Sequence, residues 1–321
     1  MPPNSFGIAF GLAGLASMWR AMEVLVADVG PVVAVLTVLA TVVEVFLLVA
    51  YVIRVASPGA LRRDLNDPVM GPFISLAFIV GMIDAMLWYH MGVQGARVVV
   101  LVFAIAALLF GGWITGYWIT TPLAEQTLNP AYFLPTVAGG LIGATTLQAV
   151  GFPNFAIMAL GIGLICWVLV GSIVQYRLWV GPPLPTLLVP LLAIELAPPA
   201  VAGNAWVAME PRMNPVQWAL IGYTLLMIMV QVRLIPIYRK LPFMPSFWAF
   251  SFSYAATATY AMHWLALDPF PGGKLTAWLI AIVITVFIGW ISVRTVQGVR
   301  AGTYFPMANA EDVSESGSAD R

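Results

Sequence analysis

Long stretches of this chain carry no charge, and that constrains its fold more than any motif. Val98 to Pro122 contains no Asp, Glu, Lys or Arg, and neither does Phe152 to Gln175. Pro31 to Ile53 contains one, Glu44. About 20 consecutive apolar residues suffice to cross the hydrocarbon core of a bilayer as a helix. Inside lipid the backbone must satisfy its own hydrogen bonds, which a helix does within one segment. The chain therefore reads as an all-α polytopic membrane protein. Its 321 residues are 61% hydrophobic, against about 45–50% in soluble domains. The 14 basic and 14 acidic residues balance, so nothing points to a nucleic-acid partner.

Hydropathy and chain breakers place ten spans at 5–22, 31–54, 69–89, 96–118, 132–151, 154–177, 186–208, 215–236, 244–265 and 275–298. Short, turn-rich connections such as Gly151-Phe152-Pro153-Asn154 make them a string of antiparallel hairpins. Residues 1–304 form one helical domain in this reading, and 305–321 a short acidic tail expected to be disordered. Ten of the Lys and Arg residues, among them Arg54, Arg177 and Arg239, fall on one side of these spans, and four, Arg20, Arg97, Arg212 and Lys274, on the other. The positive-inside rule puts the richer side, with both termini, in the cytoplasm. The first apolar run lacks a basic n-region and a cleavage site, so it reads as a retained span.

Odd and even spans differ in texture. Span two is greasy and β-branched. Span five holds Pro135, Gly139 and Gly140, span seven Pro198, Pro199 and Asn204, and span nine Ser253 and Thr257. One reading is close helix packing through small residues. The other is that odd spans surround a path and even spans shield it, because a proline-broken helix frees backbone groups tolerated at depth only inside protein or beside water. Three acids break the apolar rule: Glu44 in span two, Asp84 towards the outer end of span three, and Glu195 within span seven. A charge at that depth costs about 3 kcal/mol on insertion scales, so each acid is a candidate for function. Glu195 and Asp84 are the candidate proton or pH sites; a structural acid, or for Glu44 a contact between protomers, is the competing reading. His90 and His263 fall near span ends and read as interfacial. One cysteine, no H-E-x-x-H and no phosphate loop leave no case for a metal site, a cofactor or an enzyme.

Several stretches resemble one family. They are Phe6-Gly7-Ile8 with Gly11-Leu12-Ala13, Asn129 to Ala138 (NPAYFLPTVA), Leu196-Ala197-Pro198-Pro199, Arg233-Leu234-Ile235-Pro236 and Phe247 to Phe252 (FWAFSF). In this order they are similar to the TehA-like family, which includes tellurite-resistance TehA proteins, malic-acid and C4-dicarboxylate transporters, sulfite transporters and plant slow-type anion channels. The resemblance implies five helical hairpins in quasi-fivefold arrangement around a central pore lined by the odd spans. It also implies a homotrimer in a bacterial-type inner membrane and a pore closed by an aromatic gate. Carried over, that gate is Phe252, with Phe250 as second choice. The implied function is an anion channel or transporter passing small anions, dicarboxylates, sulfite or tellurite; the alternative is a proton-coupled secondary transporter using a buried carboxylate. The chain departs from the family where mid-span prolines would stand in spans one and three: Ala9 and Phe78 take those positions, leaving Gly7, Gly11 and Gly81 as the expected sites of bending.

Overall fold

A computed structural model describes residues 1–304, and the expected disordered tail at 305–321 lies outside the described residues. The helices are α1 (Phe6–Met22), α2 (Gly30–Val55), α3 (Ala60–Asn66), α4 (Leu76–His90), α5 (Ala96–Thr120), α6 (Gly139–Ala149), α7 (Pro153–Val180), α8 (Ala197–Met209), α9 (Pro215–Tyr238), α10 (Trp248–Leu267) and α11 (Gly273–Arg300). No strand occurs among the described residues.

Seven segments are long and apolar enough to cross a bilayer: α2, α5, α7, α9, α11, and the continuous stretches Gly71–His90 and Thr186–Met209. Three further helices fall short of that measure alone. α1 has 17 residues, α6 has 11, and α10 is diluted by serine, threonine and tyrosine. Burial separates the segments into two kinds. Only 22% of the most apolar window is buried in α5, α7, α9 and α11, against 89% for Gly71–His90. In α1 every residue except Ile8, Ser17 and Arg20 is buried. Leu109, Val168, Met229 and Val286 stand exposed on these four helices, as Phe46 does on α2, 28% buried by the same measure, and an apolar side chain on the outside is stable where the solvent is lipid.

Neighbouring helices pair as hairpins: α1 with α2, α4 with α5, α6 with α7, α8 with α9, and α10 with α11. Gly151 takes φ +86° in the tight link between α6 and α7, a conformation that side-chain-bearing residues avoid. The buried helices touch in a closed cycle, α1 to α4 to α6 to α8 to α10 and back to α1. A second cycle lies at one end. Each buried segment opens with a 3-10 turn: Pro3–Ser5, Gly71–Ser75, Pro130–Phe133, Thr186–Leu196 and Pro245–Phe247. These turns contact one another in the same cyclic order. Proline sits in the first positions of four of them and inside the fifth, at Pro190. Proline has no N–H and a fixed φ, which suits a helix start and obstructs a helix interior. The predicted spans 132–151 and 186–208 are therefore not α-helical throughout. Pro135 lies in a π-helical turn, Leu134–Ala138, and regular helix begins only at Gly139 and Ala197.

Glycines set the helix spacing. A Cβ on Gly11 would lie 2.1 Å from Ser251 Oγ, and one on Gly14 2.9 Å from the Phe252 ring. So Gly7, Gly11 and Gly14 let α1 lie directly on α10, the small-residue contact of membrane helices. The expected bend at Gly7 and Gly11 is absent, because α1 runs unbroken from Phe6 to Met22. Gly81 likewise gives space, to the Phe103 ring at 2.6 Å. At Gly140 a Cβ would come within 2.5 Å of the Gly163 backbone nitrogen, which locks α6 to α7.

Candidate functional site: two cavities divided by a phenylalanine pair

Two cavities lie within the cycle of buried helices. One, of about 900 Å³, is at the end carrying the 3-10 turns and Arg54; the other, of about 260 Å³, is at the end carrying Arg20. All five buried segments contribute to both. α1 gives Gly7 and Phe10 to the first cavity and Gly14 and Ser17 to the second, while α8 gives Pro198 to the first and Asn204 to the second. Phe252 and Val201 border both cavities.

The Phe252 ring stacks on Phe10, with centroids 3.5 Å apart and planes 11° from parallel. Helical spacing explains the position. Trp248, Phe252, Ala255, Ala256 and Thr259 share one face of α10, while Phe247, Phe250 and Tyr254 occupy another. Phe250 borders neither cavity. It packs against Tyr238, with centroids 4.8 Å apart, and against Phe247, Tyr254 and Phe287, between α10 and its neighbours α9 and α11. Phe10, the other half of the stack, carried no sequence signal of its own, because only the tertiary contact sets it against Phe252.

The larger cavity is walled almost wholly by apolar side chains, with Asn4, Arg54, Ser246, Ser253 and Tyr304 as polar exceptions. Arg54 is held by two hydrogen bonds to Asp64, at 2.8 and 2.9 Å, and by one to the Met1 carbonyl at 3.1 Å. This joins α2 to the short helix α3, which lies between the second and third predicted spans and belongs to neither. The smaller cavity is more polar: Ser17, Arg20, His90, Thr145, Asn204 and His263 border it. Both histidines thus sit on the cavity rather than at a lipid interface. Several hydroxyls here are already committed, since Ser17, Thr145, Thr146 and Thr259 donate to carbonyls of their own helices.

The remaining sequence candidates are scattered. Pro198 and Ser253 border the larger cavity and Asn204 the smaller one. Pro135, Gly139, Gly140, Pro199 and Thr257 border neither. Pro199 is buried in the first turn of α8, and Thr257 donates to the Ser253 carbonyl. Glu195 is buried and off both cavities, accepting a 2.6 Å hydrogen bond from Gln175 Nε2 on α7. Asp84 lies away from water, 5% exposed, and interacts electrostatically with Glu44 across the contact of α2 with α4. Glu44 is itself 3% exposed, so its side chain is buried within this single chain. Both oxygens of the Glu44 carboxyl group lack a hydrogen-bond partner among the described residues, whereas Asp84 has the Thr41 hydroxyl beside it. No cluster of three or more potential metal ligands occurs among the described residues.

The chain is 25% identical over 308 residues to the tellurite resistance protein TehA homolog of Haemophilus influenzae, covering 95% of this chain and 93% of that one. It is 23% identical over 277 residues to the S-type anion channel SLAH2 of Arabidopsis thaliana, covering 80% of this chain and 51% of the plant protein. Residues 1–296 match the family model described as SLAC1, voltage-dependent anion channel. This multi-pass membrane protein, with its cycle of buried helices around two cavities, belongs to the SLAC1 family of anion channels and transporters.

Proposed function

We propose that the chain is a channel for small anions, whose path runs through the two cavities and is closed between them by Phe252 stacked on Phe10. The observation that carries this reading is that Phe252 borders both cavities. In it, α1, α6, α10 and the two buried segments leading into α4 and α8 line the path, and α2, α5, α7, α9 and α11 face lipid. That makes ten spans as five hairpins in quasi-fivefold arrangement around a central pore. Support comes from the two matching cycles of contacts and from the burial contrast between the two kinds of helix. Both termini are placed in the cytoplasm of a bacterial-type inner membrane, on the side of Arg54, Arg177 and Arg239. Three copies are proposed to assemble as a homotrimer, each with its own path.

Anion preference follows from three features. The basic residues bordering the cavities, Arg54 and Arg20, stand at the two mouths. Regular helix in α6, α8 and α10 begins part-way along the segment, which aims positive helix ends inward. Among the described residues no Lys or Arg stands between the mouths, so no fixed cation holds an anion tightly at depth, and weak binding permits rapid exit. An apolar constriction can close such a path by excluding water. Nitrate and chloride are the proposed simplest permeants, with dicarboxylate, sulfite and tellurite as larger ones.

The test is anion flux in proteoliposomes comparing nitrate, chloride, malate and sulfite. Currents that reverse with the anion gradient alone and exceed carrier turnover are expected. Flux that collapses without a proton gradient would instead favour the second reading, a proton-coupled carrier. The buried, sparsely bonded carboxyls of Glu195, Asp84 and Glu44 are the observation that favours that reading.

A further inference from the structure

The smaller cavity gathers an unusual set of side chains for a membrane interior. Arg20 comes from the end of α1, His90 from the end of α4, and Asn204 and His263 from α8 and α10. Arg20 Nη1 bonds Glu23 at 2.5 Å, with both side chains about one-third exposed, 34% and 30%. A guanidinium has five N–H donors, so most of those on Arg20 remain available to a ligand in the cavity.

Asn204 determines how His263 can act. The Asn204 amide nitrogen Nδ2 donates to the Ala256 carbonyl at 3.0 Å. That fixes the amide orientation and turns Oδ1 towards His263 Nδ1, 3.1 Å away. An amide oxygen only accepts, so Nδ1 must carry the hydrogen. In the neutral ring the second nitrogen, Nε2, is then a lone pair, which repels an anion. With a second proton it becomes an N–H donor on a cation, which attracts one. The neutral hydroxyls of the cavity do not substitute for it, since they donate to their own helices.

We propose that this cavity is a proton-dependent binding site for a small oxyanion, in which Arg20 supplies a fixed positive charge and His263 a second donor only when doubly protonated. Asn204 is a positioning residue that sets the tautomer, and His90 brings a second imidazole to the same cavity. The inference rests on the anion-channel reading above and names the mouth at which anion is captured. The ionisable groups around His263 are few. α1 contributes Arg20 with its partner Glu23, and α4 contributes His90. α8 contributes only neutral groups. Glu195, in the segment leading into α8, is engaged by Gln175 and lies off the cavity. No ionisable group of α11 borders the cavity. The sign is therefore set by the imidazole: affinity rises as pH falls through its titration.

The experiment measures the nitrate concentration giving half-maximal flux in proteoliposomes at about pH 7.5 and about pH 3.5, a range that reaches well below the ordinary imidazole value. In wild type that concentration is expected to fall about fivefold or more on acidification, as for a donor that appears only on protonation. His263→Gln is expected to flatten the ratio between the two pH values. Arg20→Gln, at a position about one-third exposed, is expected to raise half-saturation at both pH values. Asn204→Leu frees the ring to place its single proton on Nε2, and is expected to shrink the ratio by improving binding at neutral pH, an effect that a merely structural role would not give. A wild-type half-saturation that does not change with pH, a His263→Gln protein that keeps the wild-type ratio, or an Arg20→Gln protein with unchanged half-saturation overturns the proposal. Phe252-sensitive flux with a pH-independent half-saturation overturns this site alone, whereas absence of anion flux at either pH in both wild type and Phe252→Ala overturns the channel reading beneath it.

Discussion

Phe252→Ala separates a gate from a packed aromatic, because the two roles predict opposite pairs of effects. In wild type the ring must leave its stack on Phe10, 3.5 Å away between centroids, for the cavities to join. An aromatic stack contributes about 0.5–1.5 kcal/mol beyond area burial, and an off-minimum side-chain torsion costs about 0.5–1.5 kcal/mol. Opening therefore costs about 1–3 kcal/mol, which corresponds to about a 5- to 150-fold reduction in the open population. Alanine removes that cost, so flux should rise by a factor in that range. Stability should fall at the same time, by less than the roughly 3–5 kcal/mol of a fully enclosed Phe→Ala change, because the ring already borders open space on two sides. The assay is nitrate efflux from proteoliposomes, paired with thermal unfolding in detergent. Phe250→Ala is the internal control. That ring is 3% exposed and surrounded by Tyr238, Phe247, Tyr254 and Phe287. It should lose the full packing term and gain no flux. Unchanged or reduced flux in Phe252→Ala, or an equal gain in Phe250→Ala, refutes the reasoning.

Other perturbations test the scaffold and the acids. Gly11→Val drives a branched side chain into Ser251 and Trp248, where even a Cβ lies at 2.1–2.8 Å. Overpacking of this kind costs about 1–3 kcal/mol, and a melting temperature equal to wild type would contradict the contact of α1 with α10. Asn129→Ala removes the side chain that accepts from the Ala131 N–H and donates to the Thr127 carbonyl, each at 2.9 Å. It should cost about 0.5–2 kcal/mol of stability, as loss of a helix cap does. Arg54→Gln leaves the mostly buried Asp64 carboxylate without its bidentate partner. Because Arg54 is itself 36% exposed, the loss measured by thermal unfolding should fall below the roughly 3–5 kcal/mol of a fully buried pair. Glu195→Gln tests the carrier reading, and a pH dependence of anion flux identical to wild type would remove Glu195 from any proton-coupling scheme.

How much of this was legible in the sequence depends on how local each signal is. The transfer of apolar side chains from water to lipid is local and nearly additive, so runs such as Val98 to Pro122 announce a membrane helix without knowledge of any neighbour. Proline is equally local, and Pro135 and Pro198 mark where regular helix starts because a missing N–H cannot be supplied from elsewhere in the chain. The face of α10 that carries Phe252 also follows from spacing alone, whereas the choice between Phe252 and Phe250 does not. Both are buried phenylalanines two residues apart, and only the packing of α1, α9 and α11 around α10 puts one beside cavities and the other among rings.

The acids and histidines show the same limit. In sequence, Glu44 stands apart by lying on an even span, and Asp84 and Glu195, both on odd spans, differ in depth. In the fold, Glu44 and Asp84 interact across a contact of α2 with α4, while Glu195 is drawn aside to Gln175. His90 and His263 are 173 residues apart in the chain, and the cycle of helices brings both to one small cavity with Arg20. The sequence by itself determined that this chain crosses a membrane as paired helices and, through short motifs, which family it resembles. Tertiary structure decided which faces meet, because contact between helices in lipid depends on shape matched across two segments, such as Gly11 against Ser251, and neither segment encodes that match alone.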